Sequence, residues 1–137
     1  MHRVLIAIIL FPTIVLADNP CSSSFNEFLS NFEKSSKFQL ENINYPLKYS
    51  YIDPNAMPEP KTINTLKSKD ELAARKKPIY PLTSAHQQIP LVKKVYSKSQ
   101  ANKIIQLHKH DTDYNIKYNF KKIGLCWKLV MFESHSL

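Results

Sequence analysis

Two cysteines, Cys21 and Cys126, stand near opposite ends of a chain of 137 residues, and the destination of the chain decides what they do. Met1, His2 and Arg3 lead into an apolar run from Val4 to Leu16, followed by Ala17. A positive start, an apolar core of about a dozen residues and a small residue at its end describe a secretory signal peptide. Val15 and Ala17 set the expected cut before Asp18. The run is shorter than the roughly 20 apolar residues of a membrane span, and no later stretch is apolar for long enough, so no stable membrane insertion is expected. The expected address is the periplasm or the medium. In that oxidising setting an even pair of cysteines reads as one structural disulfide. A lipid-modified Cys21 is rejected because Pro20 stands where a small residue is needed; a reactive thiol would leave an unpaired partner. Closing so long a loop contributes about 4 kcal/mol on the chain-entropy model.

Residues 18–137 are the length of one domain with one core. Charge is unevenly spread along them. Asp18 to Pro60 holds three lysines against six acids, whereas Lys61 to Leu137 holds fifteen Lys and Arg against five acids. Only one of those cations is an arginine, Arg75, and base or phosphate recognition leans on bidentate Arg. Export also removes most nucleic acid from reach, so no nucleic-acid partner is expected. The excess charge either keeps the protein soluble beside an anionic envelope or steers it toward an acidic protein partner. The candidate basic surface is Arg75, Lys76, Lys77, Lys93, Lys94, Lys121 and Lys122.

Ser22, Ser23 and Ser24 offer capping oxygens ahead of Phe25, Phe28, Leu29 and Phe32, which are spaced as one face of an amphipathic helix. Glu27 completes a capping box with Ser24, and the helix is expected to end near Ser35–Ser36. From Phe38 the pattern reads as alternation through Leu40, Ile43, Tyr45, Leu47, Tyr49 and Tyr51, an extended chain that Pro46 confines to an edge or a bulge. Residues 52–66 hold Pro54, Pro58 and Pro60 and read as a loop. Ser68 and Glu71 form a second capping box ahead of a short helix, Leu72 to Lys77, stopped by Pro78. Residues 78–100 fit helix or strand equally. Lys103 to His110, Tyr114 to Lys122 and Leu125 to Glu133 are three strand-like runs, the second turn being made by Gly124, the only glycine. On the last strand Trp127, Leu129 and Met131 are expected on one face, with Cys126 on the other. These elements make an α+β domain, a helix packed on a sheet that ends in a three-stranded antiparallel meander.

Catalytic signatures are few. A single glycine leaves no phosphate-cradling loop, no dinucleotide fingerprint and no nucleophile elbow. One constellation remains, His108, His110, Asp111 and Asp113. Two histidines at i, i+2 on a strand share a face and with a carboxylate could hold a metal or form an acid/base dyad. The competing reading is a polar face running into a hairpin turn, where Asp and His are at home. His86 and His135 read as surface residues.

Phe25-x-x-Phe28-Leu29-x-x-Phe32, Phe38-Gln39, Tyr45-Pro46-Leu47 and the closing Phe120…Gly124…Trp127-x-Leu129 together resemble a small bacterial exported family of unknown function with a nuclear-transport-factor-2-like (NTF2-like) fold. The resemblance covers both ends of the mature chain and leaves residues 52–100 unmatched. It implies a cone, a curved antiparallel sheet wrapped on N-terminal helices with an opening at one end. It carries no catalytic motif, and such cones host enzymes, ligand binders and structural modules alike.

The sequence therefore describes an exported, non-enzymatic binding domain without a cofactor, acting as a binder or inhibitor of another protein, an immunity protein being one concrete form. The alternatives are a cone that holds a small molecule and, behind it, an enzyme built on His108 to Asp113. N-terminal sequencing of the exported protein should begin Asp18-Asn19-Pro20; a retained Met1, or a lipidated Cys21 at the terminus, would overturn the export reading.

Overall fold

The computed structural model describes Cys21, residues 24–83 and residues 91–137. The signal segment with its cut before Asp18, the capping candidates Ser22 and Ser23, and His86 lie outside the described residues. Among those described, no helix is long and apolar enough to cross a membrane.

The elements in chain order are α1 (Phe25–Phe32), α2 (Ser36–Glu41), β1 (Ile43–Asp53), β2 (Lys61–Lys67), α3 (Lys69–Ala74), β3 (Val92–Ser99), β4 (Asn102–His108), β5 (Asn115–Ile123) and β6 (Cys126–Ser134). The strands form one curved, unclosed sheet in the order β2-β1-β6-β5-β4-β3. Every neighbouring pair is antiparallel except β1 with β6, which run parallel. The meander is thus four strands long, β3 to β6, and the helices cover one face of it.

Ser24 caps α1 by accepting the Glu27 N–H at 3.3 Å. Phe28, Leu29 and Phe32 are buried as the i, i+3, i+4, i+7 spacing requires. Their rings meet the sheet edge-on: Phe32 lies 5.3 Å and Phe28 5.6 Å from Phe120, and Phe25 lies 4.8 Å from Trp127. Cys21 is disulfide-bonded to Cys126 at the start of β6, across 105 residues, so the bond and Phe25 pin the same corner of the cone.

Four local expectations are corrected. Helix α1 stops at Phe32, and residues 36–41 form a second helix instead of extended chain. Ser35 caps it by accepting the Phe38 N–H at 3.1 Å, and Phe38 packs 5.7 Å from Phe28; a local cap and a tertiary contact together override the alternation. Residues 61–66 are strand, not loop, because Lys61 to Lys67 pair with Asp53 to Leu47 of β1 and half-bury Ile63 and Thr65. Helix α3 spans Lys69–Ala74, ending before its cations. Finally, Met131 leaves the core face. Phe120 pairs with Leu129 but Asn119 with Met131, so Val130 is an extra residue; this bulge turns Met131 outward and buries Phe132 instead. The ambiguous stretch resolves, from Val92, into an edge strand.

The polar groups around Gln39 are tied to one another and to the backbone. Gln39, 1% exposed, donates to the Phe32 and Tyr80 carbonyls at 2.8 and 2.9 Å and accepts the Tyr80 N–H at 3.1 Å. The Tyr118 hydroxyl donates to the Ile79 carbonyl at 2.9 Å, and the Tyr80 hydroxyl to Glu33 Oε1 at 3.1 Å. Burial pushes both phenols far up, and the Glu33 carboxylate adds to the effect at Tyr80. A raised folded-state value means the stability these groups contribute is intact below the ordinary phenol value of about 10 and is lost as the pH climbs above it. Ultraviolet titration should therefore show Tyr80 and Tyr118 ionising only as the chain unfolds; ionisation of all seven tyrosines near pH 10 in a folded protein would contradict this packing.

Candidate functional site

The narrow end of the cone is filled. Phe32, Phe120, Tyr118 and Leu129 are at most 1% exposed, and Tyr80 lies 4.7 Å from Tyr118. A recess opens where the second half of β1 lies beside β6. Here Tyr49 stacks on Phe132 at 4.3 Å with the planes 18° apart, and Tyr51 meets Tyr49 edge-on at 6.2 Å. These rings, with Ile116, Ser134, Lys67 and Arg75, line a recess of about 550 Å³. That volume lies inside the range of roughly 300–1,000 Å³ typical of small-molecule sites.

Helix α3 delivers the charge. The Ser68 hydroxyl accepts the Glu71 N–H at 3.2 Å while the Glu71 carboxylate accepts the Ser68 N–H, a complete capping box. A hydrogen bond from the Lys67 ammonium (3.1 Å), then the Ser68 N–H, holds the Glu71 carboxyl below its usual range. Leu72, buried, anchors the helix. The chain leaves α3 at Arg75, whose guanidinium lies 5.8 Å from the Tyr49 ring centroid and donates to the Tyr49 hydroxyl at 3.2 Å. On its far side Arg75, with Lys76 and Lys77, borders a smaller cavity of about 280 Å³ between α2, α3 and Ile79. The larger recess thus joins a flat aromatic wall to a guanidinium fork held in place. Such a pairing recognises an anion on an apolar body.

The seven basic candidates do not form one patch. Arg75, Lys76 and Lys77 border the smaller cavity, and of the three only Arg75 also lines the larger recess. Lys93 instead pairs with Glu33 at 2.9 Å. Lys94 is exposed opposite Gln106 on β4. Lys121 and Lys122 end β5, the Lys122 N–H donating to the Ala101 carbonyl. Of the His/Asp candidates only the two histidines stay together. His108 closes β4 on the sheet face away from the core, its Nδ1 buried without a partner and its ring 5.7 Å from that of His110. Asp111 takes the turn itself, at φ 55°, and Asp113 accepts the Leu137 N–H at 2.9 Å. Among the described residues no three His, Cys, Asp or Glu side chains gather as a metal site would require. His135 is exposed.

Sequence reasoning missed the mouth. The Tyr49/Tyr51 alternation marks one face of a strand but not that this face lines a recess beside β6, and Phe132 is brought beside them only by the Val130 bulge.

No protein-family model matches the chain, and no curated protein sequence does. Solved structures similar in fold include the following two. An NTF2-like protein of Bacteroides fragilis superposes with a TM-score of 0.60 at 21% identity, covering 85% of this chain and 48% of its own. A cystatin-like protein of Bacteroides caccae superposes with a TM-score of 0.52 at 17% identity, covering 83% of this chain and 77% of its own. The chain spans about half the length of the first. At these identities the likeness is one of architecture, and the architecture is an NTF2-like cone, as the sequence resemblance implied.

Proposed function

We propose that this chain is an exported, non-enzymatic binding protein whose cone mouth takes a small anion carried on a flat apolar body. The observation that carries this reading is the state of Arg75. Its guanidinium is positioned by Tyr49 at the rim of the 550 Å³ recess, and among the described residues it forms no ion pair. A planar carboxylate or phosphate would complete the fork bidentately, while the stacked Tyr49 and Phe132 rings would cover the apolar body. The Cys21–Cys126 bond fits an oxidising, exported location. A second reading, a binder or inhibitor of an acidic protein and in one form an immunity protein, is supported by the cations that stay outside the mouth, Lys94 and Lys122 among them.

Calorimetric titration of the mature protein with naphthoate, an aromatic carboxylate, tests the first reading. One molecule should bind per chain. Arg75→Ala should weaken it at least about tenfold, and Arg75→Lys should recover only part of the loss because an ammonium cannot make the fork. Lys94→Ala should leave the affinity unchanged. No binding, or equal affinity in Arg75→Ala, would remove the mouth as the ligand site.

A further inference from the structure

The sheet face not covered by helices carries a second, different surface, and the Val130 bulge creates it. By turning Met131 outward, the bulge places a thioether beside Lys48, its partner on β1. Met131 and Lys48 are shared by two adjoining recesses, one of about 320 Å³ reaching Leu66 on β2 and one of about 390 Å³ reaching Ile123 and Lys121 on β5 and Lys98 beside the β3–β4 turn. Together they run across the sheet from one edge toward the other.

The chemistry along this track is consistent. Its apolar floor includes Leu66 and Ile123, which are 57% and 46% exposed, with Met131 lying between them in both recesses. Its rim carries Lys48, Lys98 and Lys121, delivered from three separate strands or turns. Among the described residues no Asp or Glu lines either recess, and the neighbouring Glu133 is engaged by the Asn119 amide at 2.8 Å. Apolar contacts flanked by unopposed lysines match a segment in which apolar and acidic residues alternate or share one face. A second copy of the chain is disfavoured, because a two-fold interface through this face would set the same lysines against one another.

We propose that this face docks an acidic, apolar-studded segment of another protein, on a surface that shares Tyr49 with the mouth but not Arg75. Aromatic rings beside a guanidinium suit a small flat anion; two adjoining recesses crossing several strands suit a chain.

Fluorescence anisotropy with a labelled peptide of alternating Glu and Leu is the test, using the disulfide-bonded mature protein. The peptide should bind, weaken at least about fivefold from low to physiological salt as screening sets in, and lose at least about tenfold in affinity in K48E/K98E/K121E. All three positions are exposed, and circular dichroism of the triple variant checks that the fold is kept. Met131→Gln should weaken binding by removing the floor, and Arg75→Ala should leave it intact, which separates this surface from the mouth. Absence of binding, equal binding of a Lys-Leu peptide, a preference for phosphatidylglycerol vesicles, loss of binding in Arg75→Ala, or dimerisation through this face in sedimentation would each overturn the proposal.

Discussion

The amide of Gln39 is the contact on which the shape of the cone depends. It is buried in the core, and its two ends satisfy three backbone groups, the carbonyls of Phe32 and Tyr80 and the N–H of Tyr80. Leaving even one such group buried and unpaired costs about 1–3 kcal/mol. The clamp does more than satisfy polar atoms. It ties the last turn of α1 and the body of α2 to a strand-less stretch that follows α3, 41 residues further along the chain. That stretch then supplies Tyr80 to pack on Phe32 and Tyr118, and the Ile79 carbonyl to receive the Tyr118 hydroxyl. The deep end of the cone is closed by this arrangement, and the space open to a ligand is displaced outward to Tyr49, Phe132 and Arg75.

Two further ties act on the same frame. Glu33, just past α1, accepts from the Tyr80 hydroxyl and from Lys93 of the edge strand β3, which joins the helix layer to the far side of the sheet. The disulfide fixes the opposite corner, where Phe25 meets Trp127. Between them α1 and α2 are held at both ends, and α3, which follows β2 directly after Ser68, is seated on this frame by buried Leu72.

Features governed by local chemistry were legible in the sequence. The stripe Phe25, Phe28, Leu29, Phe32, the caps at Ser24 and Ser68, the runs of β4 to β6 and the turn at Gly124 each rest on neighbours within a few residues. The Cys21–Cys126 pair followed from compartment and parity. What stayed hidden depended on distant partners. Gln39 stands in a stretch whose alternation mimics a strand until Ser35 caps it. β2 follows a proline-rich segment and acquires its strand character only by pairing with β1. The bulge at Val130 has no sequence mark, yet it decides which of Met131 and Phe132 is buried, and through them the composition of both the mouth and the uncovered face. Arg75 was legible as a cation but not as the one beside an aromatic wall, since that wall is assembled from β1 and β6, far apart in sequence.

The central physical claim is that the core around Phe32, Phe120 and Tyr118 is packed solid and that ligand binds at the mouth lined by Tyr49, Phe132 and Arg75. Chemical-shift mapping of the isotope-labelled mature protein during titration with naphthoate tests it directly. Perturbations should concentrate at Tyr49, Tyr51, Arg75, Phe132 and Ser134, with Phe28, Phe32, Gln39 and Phe120 unmoved. Saturable shifts centred on Phe32, Phe120 or Leu129 would show that ligand enters the interior, shifts centred on Gln39 and Lys77 that it takes the smaller cavity, and either would contradict the claim.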